Sequence, residues 1–423
     1  MPEVTPRCGH FGVCGGCQWQ DVPYPEQLAR KRTALTALLA ATRARGLPEV
    51  APVVPMPVGD DGMPWAFRHK AAFVFANGPR GLVMGHFATG GRTVVAVREC
   101  PVHGARANRI AFRLHDELAR AQVAAAGPRL DGVLRYLIVR TSADERDAVA
   151  LLVVTRNDPS LRRPVRALLA SPERPDGFFL NLHDRPSPYM VGPTTRRLDG
   201  HAHVRERRIG PTFLVSPTAF FQTNPEAAAA LVALVLDEAE SRADGRRLRI
   251  GDLYAGSGLF TVPLAARGHT VTAIEENRQA TADAVRTLEV NQLAPNAVRV
   301  ITARVEDALP DLERRGVDLV VLDPPRQGCP PQVVDGVFGR LAPPLVIYVS
   351  CNPEALAAEL PAILGHGYRA VRIQPVDMFP HTPHVETVAV FARQPRVRHA
   401  TAPVPGTRAP EGAWHRRRGV RKS

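Results

Sequence analysis

Leu345-Val346-Ile347-Tyr348-Val349-Ser350-Cys351-Asn352-Pro353 runs five apolar or β-favouring residues into an abrupt polar stop. The run predicts a buried strand; Asn352 and Pro353 predict the N-cap and first residue of a following helix. In an α/β chain such a junction is the carboxyl end of a strand, where ligands bind. A thiol there, Cys351, lies beside amide dipoles that favour its ionised form. Taken alone, Cys351 reads as a small residue ending a core strand. Its company along the chain changes that reading.

Upstream, strands are expected at 248–254, 270–275, 298–302 and 317–322, with helices after Leu259 and over 278–290. Two more strands, 370–373 and 385–392, follow the quoted stretch. This alternation predicts a doubly wound parallel sheet over residues 211–394, entered through Thr223-Asn224-Pro225-Glu226, again N-cap then Pro, and an Ala-rich helix to about Glu240. Residues 65–210 read differently. Strand-like runs at 71–75, 134–140, 148–155 and 177–182, with NGPRG and TGG turns at 77–81 and 89–91, predict an α+β domain of antiparallel character. Residues 1–64 hold a cysteine cluster, an amphipathic helix over 24–45 with Leu28, Leu35, Leu38 and Leu39 on one side, and a Pro-rich loop. The tail 395–423 is Pro/Arg-rich and reads as disordered.

The 423 residues carry a net charge of +13, and the segment 396–422 alone has eight Arg/Lys against Glu411. A basic surplus suits a nucleic-acid partner through phosphate neutralisation, without requiring one. No apolar run has the length of a membrane span, and the N-terminus lacks the apolar core of a signal peptide. A cytoplasmic protein, monomeric and free of membrane, is expected. Arg68 and Lys70, beside Trp65 and Phe67, could grip RNA by charge and stacking; a solvated basic strand edge reads equally well.

The chemistry is carried by four strand ends. Asp252-Leu253-Tyr254-Ala255-Gly256-Ser257-Gly258 is a glycine-rich turn with an acid, Glu275, at the end of the next strand, placed for ribose hydroxyls. The third glycine of a dinucleotide fingerprint is replaced by Thr261, so S-adenosylmethionine suits the turn better than NAD. Asp323-Pro324-Pro325-Arg326 aims a carboxylate from a rigid loop. Arg326 stands where amine methyltransferases carry an aromatic residue, which leaves N-methylation of a base as the second reading. Cys351 with Pro380-His381-Thr382-Pro383-His384-Val385-Glu386 points to pyrimidine C5 methylation: thiolate addition at C6 makes C5 nucleophilic, and a base then removes the C5 proton. Glu386 is the obvious base, with His381 and His384 as rivals. A third reading is an RNA-binding protein on a decayed enzyme fold; the intact Gly256, Gly258, Cys351 and Glu386 speak against decay.

Cys8, Cys14 and Cys17 (C-GHFGV-C-GG-C) cluster at the start, and Cys100 precedes Pro101. Without a secretory signal these read as a metal site, either four-thiolate zinc or a [4Fe-4S] cluster; the three-plus-one spacing leans to the cluster.

FFQTN (220–224), DLYAGSG, DPPR, YVSCNP and PHTPHVE, in this order behind the N-terminal cysteines, resemble the RNA uracil-C5 methyltransferases over residues 8–392. The resemblance implies a Rossmann-like class I methyltransferase domain (an α/β doubly wound sheet) and a central α+β RNA-binding domain. It further implies a [4Fe-4S] cluster on Cys8, Cys14, Cys17 and Cys100, Cys351 as nucleophile and Glu386 as proton acceptor. Gln222, Tyr254, Glu275 and Asp323, with Gly256 and Gly258, would hold S-adenosylmethionine. With no TRAM domain ahead of the cysteines, the chain resembles the short branch; 23S rRNA is the expected substrate and tRNA the alternative. Cys329 is expected to pack.

Overall fold

The computed structural model describes residues 4–127 and 129–394; the expected basic tail lies outside the described residues. Two seven-stranded sheets dominate. The first is built from β1 (Lys70–Gly78), β2 (Gly81–Phe87), β3 (Val94–Ala96), β4 (Leu134–Thr141), β5 (Ala148–Val154), β6 (Gly177–Leu182) and β7 (Thr194–Gly200), in the order β3-β2-β1-β4-β5-β6-β7. Neighbours are antiparallel except β5 and β6, which are parallel. A short ribbon of β8 (Val204–Glu206) and β9 (Phe213–Val215) follows.

The second sheet comprises β10 (Arg249–Leu253), β11 (Thr270–Glu275), β12 (Val298–Thr302), β13 (Leu319–Leu322), β14 (Leu345–Ser350), β15 (Tyr368–Val376) and β16 (Glu386–Arg393), in the order β12-β11-β10-β13-β14-β16-β15. Its first five strands are parallel, and β16 runs antiparallel between β14 and β15.

The helices are α1 (Tyr24–Ala41), α2 (Ala105–Arg120), α3 (Arg162–Leu169), α4 (Pro225–Ala243), α5 (Thr261–Ala266), α6 (Arg278–Val290), α7 (Val305–Arg315), α8 (Pro331–Val334) and α9 (Pro353–Gly365). The second sheet is covered on both faces at its centre, which is why β13 (LVVL) and β14 (LVIYVS) are buried at every position. Ile347 and Val349 of β14 pack with Leu231 and Val235 of α4 and Val262 of α5. The alternating Val346 and Tyr348 face Leu309 of α7, Val333 of α8 and Leu356 and Leu360 of α9. This is the expected doubly wound layering. In the first sheet, α2 lays Ile110, Leu114 and Leu118 on Phe73, Leu137 and Leu152.

The amphipathic N-terminal helix is α1, ending at Ala41 rather than Arg45. Leu35 and Leu39 join the core of the second sheet, and the chain beyond them bridges Val50 to Ile373 and Val54 to Val376. Lys31, on the same face, is buried in an ion pair with Asp377, and the Tyr24 hydroxyl donates to the other carboxylate oxygen at 2.8 Å. No helix among the described residues is long and apolar enough to cross a membrane.

Candidate active site

Four chain segments meet at the carboxyl edge of the second sheet. Ser350 is in register with Thr387 on antiparallel β14 and β16, so the next pair outward is Cys351 and Glu386. Asn352 caps α9 as expected, accepting from the Glu354 amide at 3.2 Å, with Pro353 at the first helical position. Its side-chain amide donates to the Arg326 carbonyl at 2.9 Å and so ties the thiol loop to the Asp323–Arg326 loop at the end of β13. Cys351, Arg326, Asn352, His384 and Val385 line a cleft of about 380 Å³ that also reaches Lys31 and Leu35 of α1.

On the other side of Asp323, the β10 turn requires its glycines. Tyr254, Gly256 and Gly258 have φ of 63°, 55° and 88°. A Cβ on Gly258 would stand 3.1 Å from Val262, whereas nothing lies within 4 Å of one on Gly256, so that backbone faces open space. Glu275 accepts from the Gly256 amide at 2.9 Å and from the Asn277 amide at 2.7 Å. Ser257 donates to the Phe220 carbonyl at 3.4 Å, which brings the Phe220–Asn224 motif, with buried Gln222, against the turn. Asn224 donates to the Met378 carbonyl at 3.1 Å and joins that motif to the loop ahead of Glu386.

The electrostatics of this edge are dominated by carboxylates. Burial pushes Glu386 up to about 7, and the Arg326 guanidinium alone works against it. Burial also lifts Asp252 to about 7, despite the bond from Thr261 at 2.5 Å. Asp323 is raised well above the usual carboxylate range by burial and by Glu386, Asp252 and Glu275. Asp252 Oδ1, Tyr254 Oη and Glu386 Oε2 are buried without a hydrogen-bond partner. A row of buried acids with open oxygens is stabilised by a cation, and the sulfonium and ammonium groups of S-adenosylmethionine supply two charges of that sign.

The thiol departs from one expectation. Cys351 was expected to ionise beside the α9 N-terminus, yet its pKa is pushed up to about 11 by burial and by Glu386 and Asp323, with Arg326 opposing. The dipole of one helix end is outweighed by two carboxylates.

The two histidine rivals separate. His381 is fully buried: its ring stacks on Trp65 at 4.5 Å between centroids and its Nε2 bonds the Pro64 carbonyl at 2.7 Å. Its backbone accepts from the Gln18 and Trp19 amides, and its own amide donates to Gln27 at 2.8 Å. His381 is a structural hub, while His384 faces the cleft. Cys329 is buried in the core, its amide donating to Glu359 at 2.8 Å.

All six cysteines are free thiols. Cys8, Cys14, Cys17 and Cys100 line one cavity with Arg68, His86 and His103. Burial lowers the pKa of Arg68 in this cavity, and the charges of Cys100 and Cys17 oppose the shift. Lys70 is pushed down to about 7 by burial, Arg140 and Arg68, which weakens it as a phosphate anchor. Arg326, noted in the sequence only as a departure from an aromatic pattern, is the cation facing both Cys351 and Glu386. Lys31 and Asp377 were not singled out at all, because a buried ion pair formed by residues far apart in the chain leaves no local signature.

A family model described as tRNA (Uracil-5-)-methyltransferase matches residues 194–394. An uncharacterized RNA methyltransferase of Gloeobacter violaceus is 33% identical over 92% of this chain and 83% of its own. A second, from Geobacter sulfurreducens, is 31% identical over 92% and 78%. The crystal structure of the Pyrococcus abyssi tRNA (uracil-54, C5)-methyltransferase in complex with S-adenosyl-L-homocysteine superposes with a TM-score of 0.73 at 28% identity, over 91% of this chain and 86% of that one. The second sheet is accordingly a class I methyltransferase fold. The chain belongs to the RNA uracil-C5 methyltransferase family and is an S-adenosylmethionine-dependent RNA methyltransferase.

Proposed function

We propose that the enzyme converts a specific uridine of RNA to 5-methyluridine through a covalent bond between Cys351 and C6. The observation that carries this reading is the register of β14 on β16, which sets buried Glu386 opposite Cys351, a residue of the cleft wall. S-adenosylmethionine, when bound, supplies the electrophilic methyl group. Gln222, Tyr254, Gly256, Gly258, Glu275 and Asp323 hold it: Glu275 is placed for the ribose, and the Gly256 backbone allows close approach. The Cys351 thiol first gives up its proton to solvent in the cleft, helped by the Arg326 guanidinium; the thiolate then adds to C6 and pushes electron density to C5, which takes the methyl group. Glu386 removes the C5 proton, and expulsion of the Cys351 thiolate restores the ring. Its pKa of about 7 suits a base working near neutrality. Arg326 favours the thiolate during attack and the carboxylate afterwards. The target uridine must leave its stack to reach the thiol, at roughly a few kcal/mol.

The four thiols of Cys8, Cys14, Cys17 and Cys100 fit a [4Fe-4S] cluster in donor chemistry, since they are unpaired and surround one cavity with a buried guanidinium as counter-charge. No step of the transfer uses electrons, so the cluster's role is to organise the N-terminal segment and the central RNA-binding sheet. The resemblance favours 23S rRNA as substrate; the likeness to an enzyme of tRNA uracil-54 favours tRNA.

RNA containing 5-fluorouridine separates the chemical readings. With no C5 proton to remove, a covalent complex through Cys351 accumulates and is seen by mass spectrometry. Methyl transfer to ordinary RNA without any such adduct would overturn the C5 reading in favour of N-methylation. The rRNA and tRNA of a deletion strain, searched for missing 5-methyluridine, identify the substrate.

A further inference from the structure

The cysteine cavity contains a second set of metal-binding donors. His86 on β2, Cys100 in the turn before α2, and His103 in the same turn bring one ligand atom each to within 4.8 Å of one another. His103 is 3% exposed and its Nδ1 has no partner; His86 Nε2 is likewise buried and unpartnered. Two buried imidazole nitrogens without partners, beside a thiol, are placed as metal ligands would be.

Both rings are held before any ion arrives. His86 stacks on Phe73 at 5.1 Å, His103 meets the edge of the same ring at 5.2 Å, and the two imidazoles stand nearly perpendicular at 5.2 Å. The turn is fixed too: Asn108 donates to the Cys100 carbonyl at 3.0 Å, and the His103 amide donates to it at 3.1 Å. Two imidazoles and a thiolate are a zinc-class donor set, with a fourth, tetrahedral position left for water.

We propose that His86, Cys100 and His103 form a mononuclear site for a zinc-class divalent cation, exclusive with four-thiolate occupancy because Cys100 belongs to both. Either state uses the thiolate of Cys100, so the chain holds the cluster or the single ion. The proposal does not rest on the methylation reading. Its test leaves that reading untouched.

Full-length protein stripped of iron by a chelator is loaded with Zn(II), and X-ray absorption reads the ligands. Two nitrogens and one sulfur, completed by oxygen, are expected; four sulfurs, or no bound zinc, would overturn the site. Co(II) gives a second readout: the charge-transfer intensity of one thiolate, kept in a Cys8→Ser/Cys14→Ser/Cys17→Ser variant and lost in His86→Ala/His103→Ala. A cobalt spectrum unmoved by the histidine substitutions would equally refute it. Circular dichroism checks that the variants fold, and the wild-type absorption measurement stands if one does not.

Discussion

Glu386 combines an unpartnered buried oxygen with a pKa of about 7, which ties catalysis to stability. As the base it must be ionised, so kcat/KM should rise with pH through about 7. Stability should move the other way. A carboxyl whose folded pKa is raised contributes stability below the ordinary carboxylate range and loses it as pH climbs through about 7. Glu386→Gln should therefore raise the Tm of the ligand-free protein near about pH 8 and leave it unchanged near about pH 4, with up to about 3 kcal/mol at stake. The same variant should form the Cys351 adduct yet turn over roughly 10²–10⁴-fold more slowly in a single-turnover assay. Arg326→Ala should raise the pKa of Cys351 above its already high position, seen as an alkylation profile displaced to higher pH. Motif reading found Cys351 and Glu386 because each stands beside a signature of its own. It missed the raised pKa of the thiol, because burial and the two carboxylates responsible, Asp323 after β13 and Glu386 on β16, come together only in the fold.

At the scale of elements, the β14–α9 junction carries the site. Asn352→Ala removes both the cap and the link to the Arg326 loop. It should cost about 1 kcal/mol in urea unfolding and lower kcat/KM by more than that loss explains, since Arg326 is then free to drift from the thiol. α1 is anchored by charge as well as by leucines. Lys31→Met would strand Asp377 in the core at roughly 3–5 kcal/mol; adding Asp377→Asn should recover much of it, a non-additivity measurable by denaturation. The alternation of residues 248–350 was legible because its central strands, β13 and β14, are buried on both faces and read as unbroken apolar runs. β7 was not: all seven of its residues are exposed, and TTRRLDG has no apolar periodicity. α2, with Ile110, Leu114 and Leu118 at helical spacing, carried a readable signal that the strand-rich surroundings obscured.

At the scale of the whole molecule, the N-terminal segment is bound to the last strands of the catalytic sheet. His381 accepts from Gln18 and Trp19 just past the cysteines and lies five residues before Glu386 in the chain. Alanine at Cys8, Cys14, Cys17 or Cys100 should abolish the brown colour that the proposed cluster would give the protein; it should also speed amide hydrogen exchange over 379–386, and unchanged exchange would show that the two regions are not coupled. No local pattern in the sequence foretold this tie. It joins residues more than three hundred positions apart, and their contacts are backbone bonds indifferent to side-chain type. The docking partners of residues 24–54, among them Ile373, Val376 and Asp377, lie at the end of β15, made after every parallel strand of the sheet. During synthesis α1 must therefore wait for a strand made more than three hundred residues later, its leucine stripe bare until then, so a chaperone has reason to meet this chain before its own fold can shelter it.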